Sequence, residues 1–247
     1  MLRGALSDHD ILRGGVARTD GVVSLAFTPS YDTPEGFAAA IEEEGTAMTV
    51  LGEALIGTGR PIVAVSGTPW VTGRPSTESD PVPVTGPTAG RARSVISLLG
   101  LASKGVRSST VRVPRTVHNH GTGGFAGLLT DAARRSGVAG YPGDGLQRWP
   151  AVHALDAAVL FRLALESAPA GTSWHAVADE GDRVIDIATV IGRRLVLPVE
   201  QVSEETFGPL GPIFAMDQPA SSAHTRATLN WHPAHPSLLV DLEELQP

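Results

Sequence analysis

Cysteine is absent from all 247 residues, which excludes a disulfide framework, a thiolate nucleophile and a Cys-ligated zinc or iron–sulfur centre. Chemistry must therefore use hydroxyls, imidazoles, carboxylates or a borrowed cofactor. Positive charge is also short: 19 Lys and Arg face 26 Asp and Glu, for a formal net charge of -7. The arginines are scattered and form no stripe, so nucleic acid is excluded as an expected partner. No apolar stretch approaches the roughly 18 to 20 residues that span a bilayer, and Met1 to Asp10 lacks the apolar centre of a signal peptide. A cytoplasmic protein with no membrane partner is expected. Aromatic residues are scarce at 5%.

What is present suits one large domain, or one domain with a small appended lobe. Three short apolar runs, Gly21 to Phe27, Pro61 to Ser66 and Ser109 to Val113, are rich in β-branched residues and read as buried strands. Between the first two, Phe37, Ile41, Met48, Leu51 and Leu55 recur on one helical face. Between the second and third, Val95, Leu98, Leu99 and Ala102 do the same, with Gly105 as a C-terminal stop. Strands that are nearly continuous in apolar residues are covered on both faces, so the pattern predicts an α/β fold of the Rossmann-like, doubly wound parallel kind. Further helices are expected at 125–135, 156–166 and 183–195, and a strand at 173–177. The expected division is 1–115 for the nucleotide-binding core and 116–247 for a substrate-side lobe, intertwined as one domain. Thr72 to Pro87 forms a long loop.

In open parallel sheets ligands gather at the carboxyl ends of strands, where helix N-termini converge. Ala26-Phe27-Thr28, Ser66-Gly67-Thr68 and Pro114 to His118 occupy such ends. Ser66 and Thr68 could hydrogen-bond a bound carbonyl or alcohol oxygen, or could simply cap the next turn.

These segments carry a family resemblance. DGVVSLAF resembles the fourth strand of extended short-chain dehydrogenases/reductases, IVAVSGTPWVTG their fifth with its catalytic Ser/Thr, and VRVPRTVHNHG the sixth and its following loop. GDGLQRWPAVHALDAA and TRATLNWHP resemble later family segments, in the family's order. The closest likeness is to the atypical, NAD-dependent epimerase/dehydratase-like members. The resemblance implies an NAD(P)-dependent oxidoreductase or epimerase-like enzyme acting on a hydroxyl or carbonyl of a small polar, sugar-like molecule. It places Leu25, Ala26, Phe27, Ser66, Pro114, Thr116 and Val117 at the cofactor, Thr68 with Ser66 at the reacting oxygen, and Arg148, Trp149 and His153 on the substrate side.

Two departures matter. The family pairs a Tyr with a Lys four residues later, but here the only tyrosines are Tyr31, followed by Glu35, and Tyr141, followed by Gly145. In GPTAGRARSV, Thr88 and Ala92 stand in the expected places, and a threonine hydroxyl is too weak an acid to replace a phenol. Arg91 and Arg93 could supply charge but no proton. His118 is the residue read as moving it, against the alternative of a solvated loop histidine. A non-catalytic ligand-binding relative and an inactive fragment are the competing readings.

The second departure is the glycine-rich phosphate-binding turn that opens the family's fold, which nothing before Gly21 supplies. Met1 to Ala17 instead resembles the end of the third strand and its helix, with Ala5 where an adenine-contacting Asp is usual. The sequence thus reads as N-terminally truncated, by a gene model begun at an internal methionine or by nature. NAD or NADP is the expected cofactor, and the strand at Gly21 to Phe27 is expected at an exposed apolar edge that favours a homodimer. His118, His120, His232 and His235 lack metal-site spacing, so no metal is expected. Gly121 to Gly124 could cradle an anion at a helix N-terminus or act as a hinge, and Asp156 reads as a helix cap.

Overall fold

The computed structural model describes residues 1–28, 33–86 and 88–246. Tyr31 and the last residue of the long loop, Pro87, lie outside them. In chain order the first elements are α1 (His9–Val16), β1 (Val22–Ser24), α2 (Pro34–Glu53), β2 (Pro61–Gly67), α3 (Ala89–Gly100) and β3 (Arg107–Val113). There follow β4 (Thr116–His118), α4 (Gly124–Ser136), β5 (Ala139–Pro142), β6 (Arg148–His153), α5 (Ala154–Ser167), β7 (Thr172–His175) and β8 (Asp179–Arg183). The chain ends with α6 (Val184–Leu195), β9 (Val199–Val202) and the short α7 (Gly211–Phe214), α8 (Ala223–Leu229) and α9 (Leu238–Asp241). No helix among the described residues is long and apolar enough to cross a membrane.

Two compact units interleave. The first comprises 1–66, 81–112 and 160–174, and the second 67–80, 113–159 and 175–247. The stretch 67–80 thus belongs to the second unit and 160–174 to the first.

The first unit holds a four-stranded sheet in the order β1-β2-β3-β7, with β1 and β2 parallel. β1 is shorter than the apolar run predicts, because only Val22, Val23 and Ser24 pair with β2. α2 starts where its sequence says it must: the Thr33 hydroxyl accepts the Gly36 N–H at 3.0 Å, Pro34 fills the first turn and Glu35 meets the positive helix end. Met48, Leu51 and Leu55 then pack with Ile62, Ala64, Val95 and Leu98. Gly105 stops the helical segment in the left-handed region, at φ 75°. α2 and α3 approach closely: a Cβ on Gly52 would lie 3.1 Å from the Leu98 side chain.

The second unit contains parallel β4 and β6, with β8 antiparallel to β6, and a separate parallel pair, β5 and β9. α4 and α6 bury Leu129, Ala133, Ile187 and Ile191 against Trp149, Phe214, Leu238 and Leu242. The segment 148–153, for which the sequence announced no strand, is β6. β8 had no apolar pattern to announce it.

The glycine run before α4 serves backbone packing. Gly123 and Gly124 have φ of 99° and 56°, and Cβ atoms there would come within 2.6 Å of the β4 backbone. Two of the amides opening α4 are used within the protein: Phe125 donates to the Arg115 carbonyl and Ala126 to the Thr116 hydroxyl. Those two N–H groups are not free for an anion.

Candidate functional site

At the end of β1, in the first unit, Leu25 and Ala26 are exposed, Leu25 by 54%. Phe27 is held more tightly. Its ring meets Phe37 of α2 edge-on at 6.2 Å, and the Arg91 guanidinium of α3 stacks over it at 4.0 Å. Arg91 also donates through Nε and Nη2 to the buried Glu44 carboxylate, at 2.7 and 2.8 Å. Its charge is thereby committed to α2. Thr88 precedes α3 without capping it through its side chain, and Ala92 is buried on the helix. The single lysine, Lys104, lies in the turn that follows.

Ser66 and Thr68 bracket Gly67 at the carboxyl end of β2. Neither hydroxyl hydrogen-bonds to a described residue, so neither caps the next turn. Thr68, in the second unit, is instead fixed through its backbone. Its N–H donates to the Val113 carbonyl at 3.0 Å, and its carbonyl accepts from Gln218 Nε2 at 2.7 Å. The backbone is anchored and the hydroxyl is left over, although the residue is only 6% exposed.

The remaining residues singled out in the sequence all belong to the second unit. Pro114 is buried, Val117 is half-buried, and the buried Thr116 spends its hydroxyl on the Ala126 N–H. Arg148 is clamped to Asp217, with Nε and Nη2 at 3.0 and 2.8 Å from the two carboxylate oxygens. Hydrogen bonding to Arg148 holds the Asp217 carboxyl below its ordinary range. Trp149 is fully buried and packs on Phe125 and Phe214 at 5.8 and 5.2 Å, with its Nε1 unpartnered. Opposite it on β8, Asp182 has an unpartnered Oδ2, and burial followed by repulsion from Asp179 and Asp186 pushes it up to about 6.

His118 lies on β4 and is buried at 1% exposure, which corrects the alternative of a solvated loop histidine. Its Nδ1 donates to Asp241 Oδ2 at 2.8 Å, which leaves Nε2 as the free ring nitrogen. Asp241 also accepts the His120 and Gly121 N–H groups. Burial raises the Asp241 pKa, but these bonds and the nearby imidazoles outweigh it and hold the carboxyl low. His153, paired with His118 across β4 and β6, meets it edge-on at 5.4 Å and stacks on His235 at 4.7 Å. Burial first, then the adjacent His118 and His235, lower the His153 pKa. His235 in turn bonds Asp156 at 2.8 Å. Asp156 accepts the Ala234 and His235 N–H groups as well, so it pins the C-terminal segment.

The structure thus links His118, His153, His235, Asp156 and Asp241 into one chain, buried at every member but the exposed His235. Asp241 and Asp217 were missed in the sequence. Asp241 sits in LLVDLEEL, which reads as an ordinary amphipathic surface, and 123 residues separate it from His118.

No family model matches the chain. It is 40% identical over 245 residues to the uncharacterized protein C2A9.02 of Schizosaccharomyces pombe, covering 97% of this chain and 81% of the relative. It is 35% identical over 248 residues to the uncharacterized protein YLL056C of Saccharomyces cerevisiae, covering 98% and 82%. Among solved structures, Pal from Bacillus thuringiensis superposes with a TM-score of 0.79 at 18% identity, covering 98% of this chain and 81% of that one. DesIV, a dTDP-glucose 4,6-dehydratase from Streptomyces venezuelae with NAD bound, gives 0.76 at 17% identity, covering 97% and 76%. The Thermotoga maritima UDP-glucose 4-epimerase gives 0.74 at 16%, covering 98% and 82%. The chain belongs to the family of the two yeast proteins, and its fold is that of the extended, epimerase/dehydratase-type short-chain dehydrogenases/reductases.

Proposed function

We propose that the protein is an NAD(P)-dependent oxidoreductase or epimerase-like enzyme acting on a hydroxyl or carbonyl of a small polar molecule. The observation that carries this reading is the Ser66-Gly67-Thr68 strand end, where two hydroxyls have no partner among the described residues and a Cβ on Gly67 would meet only open space. Such hydroxyls are suited to orient a substrate oxygen.

The residues present fit a dinucleotide. Leu25 and Ala26 offer exposed apolar surface, and Phe27 is pinned under Arg91. Motif correspondence assigns these residues, with Ser66, Pro114, Thr116 and Val117, to holding it. When bound, the dinucleotide supplies or accepts a hydride. Thr68 positions the reacting oxygen, and Thr116 contributes through its backbone, since its hydroxyl is occupied. Arg148, Trp149 and His153 keep their motif assignment to the substrate side. Proton movement falls to His118, whose orientation Asp241 fixes.

Oxidation of NADH and NADPH with a panel of small aldehydes, ketones and keto acids tests the reading by absorbance. Turnover is expected with one dinucleotide, and Thr68→Val is expected to reduce it by roughly 10²-fold, as loss of one positioned donor does. A second reading, a ligand-binding relative without turnover, is favoured by the replacement of the Tyr and Lys positions with Thr88 and Ala92. Dinucleotide binding with no turnover across the panel would establish it.

A further inference from the structure

Arg115 follows β3 by two residues and holds its charge differently from three arginines that meet carboxylates. Arg91, Arg148 and Arg183 each meet a carboxylate through two nitrogens. Arg115 meets none. Its guanidinium stacks over the Phe125 ring at 5.0 Å, and its Nε is sealed from solvent without an acceptor. Its two terminal nitrogens also lack a hydrogen bond to any described residue, yet they are not sealed. Burial alone pulls its pKa down to about 10, with no carboxylate to raise it, and it remains a cation near neutral pH. A ring face offsets part of the lost hydration but accepts no directed N–H bond. Charge buried without a counter-ion costs stability, and an arrangement that bears this cost marks a binding function.

We propose that Arg115 is a specificity-determining residue that receives an oxyanion group, carboxylate or phosphate, of the substrate. The inference deepens the proposed function and rests on it. The planar fork is suited to bidentate capture of such a group, and the residue stands in the same strand-end stretch as Pro114, Thr116 and Val117. The expected substrates are therefore anionic hydroxy or carbonyl compounds, and neutral sugars are disfavoured.

Calorimetric titration of the full chain with inorganic phosphate and with malonate, at constant ionic strength, tests the site without turnover. Saturable one-site binding of at least one probe is expected, weaker by about ten-fold or more in Arg115→Gln and unchanged in Arg162→Gln on the exposed face of α5. Arg115→Lys is expected to fall between them. Melting supplies an independent readout: an uncompensated cation predicts that Arg115→Gln melts at or above the parent temperature, whereas a structural role predicts a lower one.

No saturable binding of either probe, equal binding by Arg115→Gln, or a lowered melting temperature would each overturn the proposal. NADH and NADPH titrations separate the two sources of oxyanion. An unchanged dinucleotide affinity in Arg115→Gln assigns the group to the substrate, and a parallel ten-fold loss would assign it to the dinucleotide and overturn the proposal. Absence of dinucleotide binding beside retained, Arg115-dependent anion binding would remove the oxidoreductase reading while the anion site stands.

Discussion

The two units spend their buried polar groups differently. In the first, the core of Leu55, Ile62, Ala64, Val95 and Leu98 is apolar, and the buried carboxylate of Glu44 is matched by Arg91 through two hydrogen bonds. In the second, three imidazoles and two carboxylates are linked in a chain that runs from the buried His118 to the exposed His235, with unpartnered atoms on Arg115, His118, Trp149 and Asp182. The first unit also leaves an atom unmatched, since the buried Ser109 hydroxyl has no partner among the described residues, but it holds no such chain of linked titratable groups among those residues. Linked titratable groups of this kind collect where a protein binds or reacts. The second unit is therefore read as the bearer of specificity.

Substitutions can break or sharpen that contrast. The largest effect is expected for Leu55→Ala, which empties a fully buried position in the first unit and should cost about 3 kcal/mol by chemical denaturation. Glu44→Gln strands the Arg91 cation and should cost nearly as much, about 2 to 3 kcal/mol, because only one partner of a largely buried pair is removed. The second unit should respond in the opposite sense. Val196 ends α6 in the left-handed region at φ 56°, where a β-branched residue is strained, so Val196→Gly is expected to gain about 1 kcal/mol.

The smallest effect is expected at Asp182, and it depends on pH. Its folded pKa of about 6 lies above the ordinary 3.8, so the folded state holds the extra proton. Its contribution is fully present below about pH 4 and is lost as pH rises through 6. Melting curves of Asp182→Asn across pH 4 to 7 should show that decline flattened. An unchanged slope would mean that Asp182 is not the proton-binding group.

The first unit was largely legible in the sequence because it follows the simplest rule. β2 is buried through Ile62, Val63 and Ala64 and reads as an apolar run, β3 was announced by its β-branched residues, and α2 carries its cap, its proline and its apolar stripe in one stretch of chain. The second unit was legible in its helices, where α4 and α6 fall within two residues of the expected bounds at every end. Its strands were not. β8 reads DEGDR, a charged sequence that becomes a strand only through pairing with β6. The strand-end residues of the site could be located from their position after apolar runs. Asp241, Asp217 and Gln218 could not, because each meets its partner across a separation of 69 residues or more. Burial of His118 was hidden for the same reason: its neighbours come from the C-terminal segment and from β6.

The most direct test of the account is titration of NADH and NADPH, followed by nicotinamide fluorescence, into this chain and in parallel into the fission-yeast relative that matches it over 97% of its length. Saturable binding of one dinucleotide, shared by both proteins, is the expected result. Absence of saturable binding by either protein, up to millimolar dinucleotide, would contradict the oxidoreductase reading and leave the family with this fold and a different ligand.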